Sequence, residues 1–223
     1  MGKLYKTILS LVLSFSFLVS VQPNSAEAAS NSLQTESVKM LLTTIDIPVA
    51  EDQELVRYEE ANSVKVEVID KSTGEVTEVY SESLEANLQA KALGLASSNI
   101  LSTSKTRTDG PVQTQLLVKM VVSGSGSFAQ INSIASQTMS IINSNGFTLE
   151  DKDVVAIPVN NTFPTYKIEA SGSGVLTYSS TNGTSAGISF DILEAASFNM
   201  SGSSSSTWYA RKPISMNLTY SVQ

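Results

Sequence analysis

The chain has 223 residues, no His, no Cys and a formal net charge of −7. The missing imidazole and thiol groups exclude Ser-His-Asp and Cys-His nucleophilic catalysis and imidazole- or thiolate-ligated zinc, and no disulfide can hold the fold. Carboxylate pairs, Ser-Lys dyads and oxygen-ligated cations are the chemistries left.

Lys3 and Lys6 precede the apolar run from Ile8 to Val21, and Ala26-Glu27-Ala28 supplies a small-x-small cleavage site. The run is shorter than the roughly 20 residues a spanning helix needs, so residues 1–28 read as a secretory signal peptide. With no Cys to carry lipid, the expected product is released, or held at a surface without covalent lipid.

Residues 29–96 form an acidic region. Ser37 to Leu42 is expected as a short helix, and Glu51 to Glu60 is charged and of undefined structure. Val64, Val66 and Val68 alternate with polar residues, a Gly74-containing turn follows, and Val76, Val79 and Tyr80 complete a β-hairpin. Leu84, Leu88, Ala92 and Leu95, capped by Ser81 or Ser83, then give the stripe of a helix. Residues 97–111 are rich in Ser and Thr and end in Gly110-Pro111, which reads as an exposed linker containing Lys105 and Arg107.

The β-rich C-terminal domain spans 112–223. Leu116 to Val122 is a strand, and Ser123-Gly124-Ser125-Gly126 breaks it. Phe128, Ile131, Ile134, Ala135, Thr138, Ile141 and Ile142 then recur at three and four residues. That spacing predicts an amphipathic helix over about 127–145, begun by Ser127 and Gln130 and stopped by Asn145-Gly146. Val154 to Val159 is a strand. Tyr166 to Ala170 and Val175 to Tyr178 are expected to make a hairpin across Ser171-Gly172-Ser173-Gly174. Alternation then continues through Ile188-Phe190-Ile192, Phe198-Met200, Trp208-Ala210 and Ile214 to Tyr220. The resulting fold class is α+β: an antiparallel C-terminal sheet packed by one helix, preceded by a small hairpin-plus-helix region. The likeness of Lys119–Gly126 to Lys167–Gly174 reads as shared turn chemistry.

Four motifs bear on chemistry. Gly124-Ser125-Gly126-Ser127-Phe128-Ala129 fits a dinucleotide loop, but hairpins follow where further βα units are required. Ser102-Thr103-Ser104-Lys105 fits S-x-x-K without its partner motifs. Glu150-Asp151-Lys152-Asp153 lacks the spacing of a calcium loop. Asp191 and Glu194 are a carboxylate pair for glycoside hydrolysis only if a cleft separates them. No cofactor, metal or catalytic residue is therefore assigned.

The first half, Ala29 to Asp109, carries 7 Lys/Arg against 14 Asp/Glu, and Gly110 to Gln223 carries 5 against 6. Such an acidic first half repels nucleic acid and anionic membranes. Trp208, Tyr209, Arg211 and Lys212 form the candidate contact surface, suited to a glycan, a lipid headgroup or another protein, with self-association allowed. The competing reading buries Trp208 in a strand. The function expected is that of a secreted bacterial non-catalytic protein that binds or assembles at the cell surface or in the extracellular matrix. The alternative is a precursor, cut near Lys105 and Arg107 to release an antimicrobial or pore-forming C-terminal domain.

Overall fold

The computed structural model describes residues 33–86, 99–124, 128–180, 188–202 and 207–222. The signal-peptide assignment lies outside them, as does most of the helix expected near 83–95. The described residues form twelve strands and one short helix. In chain order they are β1 (Gln34–Lys39), β2 (Thr43–Val49), β3 (Gln53–Glu60), β4 (Ser63–Asp70), β5 (Val76–Ala86) and β6 (Asn99–Asp109). Then follow β7 (Val112–Ser123), β8 (Gln130–Asn143), β9 (Thr148–Pro158), β10 (Lys167–Ser180), the helix α1 (Phe190–Ala195), β11 (Asn199–Gly202) and β12 (Trp208–Val222).

Two six-stranded antiparallel sheets result. One is a meander, β3-β4-β5-β6-β7-β8, in which every strand pairs with the next in sequence. The other has the order β1-β2-β12-β10-β9, with β11 added against the start of β12. The chain passes into the meander between β2 and β3. It returns between β8 and β9 through a turn in which Asn145 (φ 43°) and Gly146 (φ 90°) are left-handed and Phe147 N–H donates to Ser144 O at 2.6 Å. The expected stop at Asn145-Gly146 is thus real, but it ends a strand.

Alternation fixes which faces meet. On β7, Val112, Leu116, Val118, Met120 and Val122 are buried, and on β10 so are Ile168, Ala170, Leu176 and Tyr178. On β12 the buried series is Trp208, Ala210, Ile214, Met216, Leu218 and Tyr220. These residues belong to one continuous core, so the sheets pack face to face as a β-sandwich. Gly172 is a point of close approach. A Cβ there would sit 3.0 Å from Met139 Sδ and 3.1 Å from Leu116 Cδ1, both on the opposite sheet.

The α+β expectation is corrected by this architecture, and the helix over 127–145 is where it fails. Residues 130–143 are β8, the edge strand beside β7. Its register explains the misleading pattern. Val122 pairs with Ile131, Met120 with Ile134, Val118 with Gln137, Leu116 with Met139 and Thr114 with Ile141. The pairing shifts between Val121 and Val122, again between Lys119 and Met120, and once more between Gln113 and Thr114. Each shift adds one residue to β8. An extra residue in a bulge turns the two-residue step of a strand into a step of three. Inward positions therefore fall at 131, 134, 137, 139 and 141, which brings Ile131, Ile134 and Ile141 of the expected stripe inward, while its Ala135, Thr138 and Ile142 are exposed.

Other local expectations are corrected in the same way. Ser37 to Lys39 lies in β1 rather than a helix, and Glu51–Glu60 contributes β3. Ser83 to Glu85 extends β5. The presumed hairpin across Ser171–Gly174 is one unbroken 14-residue strand, β10, whose two glycines face inward. The stretch Ile188–Ile192, expected as a strand, instead starts α1, with the Ser189 hydroxyl accepting Ile192 N–H at 3.3 Å. The supposed linker 97–111 supplies β6, which pairs with β5 on one side and β7 on the other. The β4–β5 hairpin stands as expected, its turn held by Asp70 Oδ1, which accepts the N–H groups of Ser72 (2.8 Å) and Thr73 (2.9 Å).

A buried acid ties the two sheets together. Glu82 on β5 is 1% exposed, and its carboxylate accepts Leu42 N–H at 2.6 Å and the Thr43 hydroxyl, both from the β1–β2 corner of the other sheet. Burial raises its pKa above the ordinary glutamate range, although the bonds from Thr43 and Leu42 pull the other way. A raised folded-state pKa gives stability that is whole below the unfolded value near about 4.3 and is lost as pH rises through the raised one. Glu82→Gln is therefore expected to lose less stability than wild type between pH 4 and pH 8, read by urea melts at both. Parallel pH profiles for the two proteins would refute this.

Candidate functional site

The five residues Trp208 to Lys212 open β12, and the two-residue period of a strand divides them between its faces. Trp208 points inward and is fully buried, with its ring 5.4 Å from Tyr178 and 5.8 Å from Phe190 in an edge-on arrangement. Phe147 extends the cluster, 4.8 Å from Tyr178 and 5.4 Å from Phe198. The competing reading of Trp208 as a core residue is the one the fold adopts.

Lys212 also points inward. Its Nζ lies 2.7 Å from Asp109 Oδ1, donates to Ala196 O at 2.7 Å and sits 5.5 Å over the Phe198 ring. Asp109 is 3% exposed and receives Arg107 on the same oxygen at 2.9 Å. This charge cluster closes one end of the sandwich, joining the β6–β7 turn to β12 and to the end of α1.

Tyr209 and Arg211 face outward. They lie in a groove of about 470 Å³ on the outer side of the sheet, walled by Thr148 and Glu150 on β9, Thr177 and Ser179 on β10, and Ser201 on β11. Tyr209 is 53% exposed. The Thr177 hydroxyl donates to Glu150 Oε1 at 3.1 Å, so Thr148, 2.5 Å away, donates in turn to Thr177. Arg211 Nη2 stands 4.0 Å from Glu150 Oε2. An exposed pair that long contributes little to stability. Both of its members keep hydrogen-bonding capacity for a ligand. One aromatic face flanked by a donor, an acceptor and several hydroxyls can hold a hydroxyl-bearing molecule.

The remaining sequence candidates do not assemble. Ser102 and Lys105, three apart on a strand, point to opposite faces of β6, so the S-x-x-K tetrad forms no dyad. Lys105 is buried, 2.9 Å from Glu78 Oε1 and 5.0 Å over the Tyr80 ring, and Arg107 is held by Asp109. A cut at either would sever an interior strand rather than a linker. Asp191 and Glu194 are both exposed on α1. Asp151 has φ 50° in β9, which shifts register against β10 nearby. Among the described residues, no group of three His, Cys, Asp or Glu is placed to hold a metal. Gly124 leads towards the strand β8, so the dinucleotide-loop context is absent; Ser125 to Ser127 lie outside the described residues.

No family model, curated protein or solved structure matches this chain.

Sequence reasoning brought Tyr209 and Arg211 to this site and missed Thr148, Glu150, Thr177 and Ser201. Their signal was present. Thr177 and Glu150 occupy outward positions on strands that pair, but the pairing of β9 with β10 and of β10 with β12 had to be known first.

Proposed function

We propose that this is an exported, non-catalytic β-sandwich protein that acts by contact, binding or assembling at the cell surface or in the extracellular matrix. The observation that supports this reading is the outward groove in which Tyr209 and Arg211 stand exposed beside Glu150 and a row of hydroxyls. Exposed Tyr and Arg are the side chains most often found carrying binding energy. The signal-like N-terminus supplies the export half of the proposal.

The test is sedimentation of labelled protein with producer cells and with their extracted matrix. Saturable binding is expected, and Tyr209→Ala with Arg211→Ala should weaken it about tenfold, about 1.4 kcal/mol. Protein that stays in the supernatant with every preparation, or that turns over a wall or matrix substrate repeatedly, refutes the proposal.

A further inference from the structure

We propose that the outer face of the β1-β2-β12-β10-β9 sheet takes a linear, uncharged polysaccharide laid along β10. This rests on the contact function proposed above and names its ligand class.

A second concavity, about 230 Å³, lies on the same outer face, lined by Val155 and Ile157 of β9, Glu169 and Ser171 of β10, and Asn217 and Thr219 of β12. Thr177 in the first groove and Ser171 in the second are six residues apart on one strand, about 20 Å at 3.3 Å per residue. The outward positions between them are Ser173 and Val175 on β10 and Pro213 and Ser215 on β12. These are small or compact side chains, so among the described residues of β10 and β12 nothing large stands between the grooves. The length of that track accommodates several pyranose units.

The chemistry at both ends matches a sugar ring, which has an apolar C–H face and a rim of hydroxyls. At the first, the exposed Tyr209 ring can stack on the C–H face while Glu150 accepts and Arg211 donates at the rim. At the second, the half-exposed Val155 and Ile157 supply the apolar contact, and Asn217 and Glu169 the hydrogen bonds. Both grooves are open and shallow, so a single sugar would bind feebly at either. A chain engaging both gains from the second contact being intramolecular.

Charge selects an uncharged polymer. Asp46, Glu150, Asp153 and Glu169 face outward on this sheet against Lys39, Lys167 and Arg211, Asp151 and Lys152 at the irregularity in β9 offset each other, and the whole chain carries −7. A polyanion is repelled by that balance. A bilayer is disfavoured because the exposed apolar run Val155, Ile157 and Val159 is flanked by Asp153 and Glu169, which an anionic surface repels.

The test titrates the purified protein calorimetrically with neutral hexasaccharides of glucose, mannose, galactose and xylose, with the matching disaccharides, and with polygalacturonate. At least one neutral hexasaccharide should bind about tenfold or more tightly than its disaccharide. Tyr209→Ala at one groove, and Glu169→Ala with Asn217→Ala at the other, should each weaken it about fivefold with melting temperature unchanged. Preference for polygalacturonate, hexasaccharide binding that neither variant alters, or no saccharide bound by protein that still coats its producer cells would each overturn the ligand assignment and leave the contact function standing. Absence of cell and matrix binding as well would fail the contact function itself.

Discussion

Replacing Trp208 by Ala should cost about 3–5 kcal/mol, the range for emptying a buried aromatic site. The same change at Tyr209, the next residue, should stay within about 0.5 kcal/mol, as for surface positions away from special features. Trp208 is fully buried and bridges Tyr178 of β10 to Phe190 of α1, so its removal opens a void between a sheet and the helix covering it. Against a total stability of about 5–15 kcal/mol the loss is large. Its indole N–H has no hydrogen-bond partner among the described residues. Trp208→Phe removes that unpaired donor and keeps most of the ring, so it should recover most of the loss. Urea melts followed by circular dichroism measure all three variants, because Trp208 is the chain's only tryptophan and cannot report on its own removal. The midpoint should fall for Ala with the slope m unchanged. Equal midpoints for Trp208→Ala and Tyr209→Ala would refute the packing argument.

Asp109→Ala should be the second large loss. The substitution leaves Lys212 and Arg107 without the carboxylate that both contact, at a site where Asp109 itself is 3% exposed. Removing one partner of a buried pair costs about 3–5 kcal/mol when the remaining charge is sealed in. Lys212 and Arg107 keep 16% and 32% of their side-chain surface, so water relieves part of that and the expected loss is near about 3 kcal/mol. The contrast lies in the double variant. Asp109→Leu with Lys212→Met replaces the ion pair by apolar groups, a change that is often neutral or stabilising in buried pairs. It should therefore be more stable than Asp109→Ala alone, by thermal melts in the same buffer. A double variant weaker than the single one would mean that the pair does more than balance charge.

The parts of this fold that could be read from sequence are the strands with undisturbed alternation. β7, β12 and the β4–β5 hairpin show their inward residues at every second position. β10 does too, once Gly172 and Gly174 are counted as inward residues, but glycine pairs separated by serine also look like a turn. β8 concealed itself through its bulges, whose extra residues reproduce a helical spacing that no single-chain periodicity can distinguish. β6 concealed itself by composition. Its residues 102 to 106 are Ser, Thr, Ser, Lys and Thr, all buried, which is the profile of a linker until Ser81, Gln115, Glu78 and Tyr80 are seen meeting them from β5 and β7. The site was half legible for a related reason. Sequence alone places Tyr209 and Arg211 on one side of a strand, but the groove exists only because β9, β10 and β11 lie beside β12.

The pairing of β2 with β12, where Ile45 meets Tyr220 and Thr43 meets Val222, has a consequence for the order of assembly. The meander joins neighbours in sequence and can zip as soon as its own residues are available. The N-terminal hairpin has its partner at the far C-terminus, so closing that loop carries the largest entropy cost in the molecule. A chain emerging from its N-terminus would thus hold a finished half while β1 and β2 wait for the last residues to arrive. Pulsed hydrogen exchange during refolding should find amides of β3 to β8 protected before those of β1 and β2; simultaneous protection would place the final strand inside the nucleus instead.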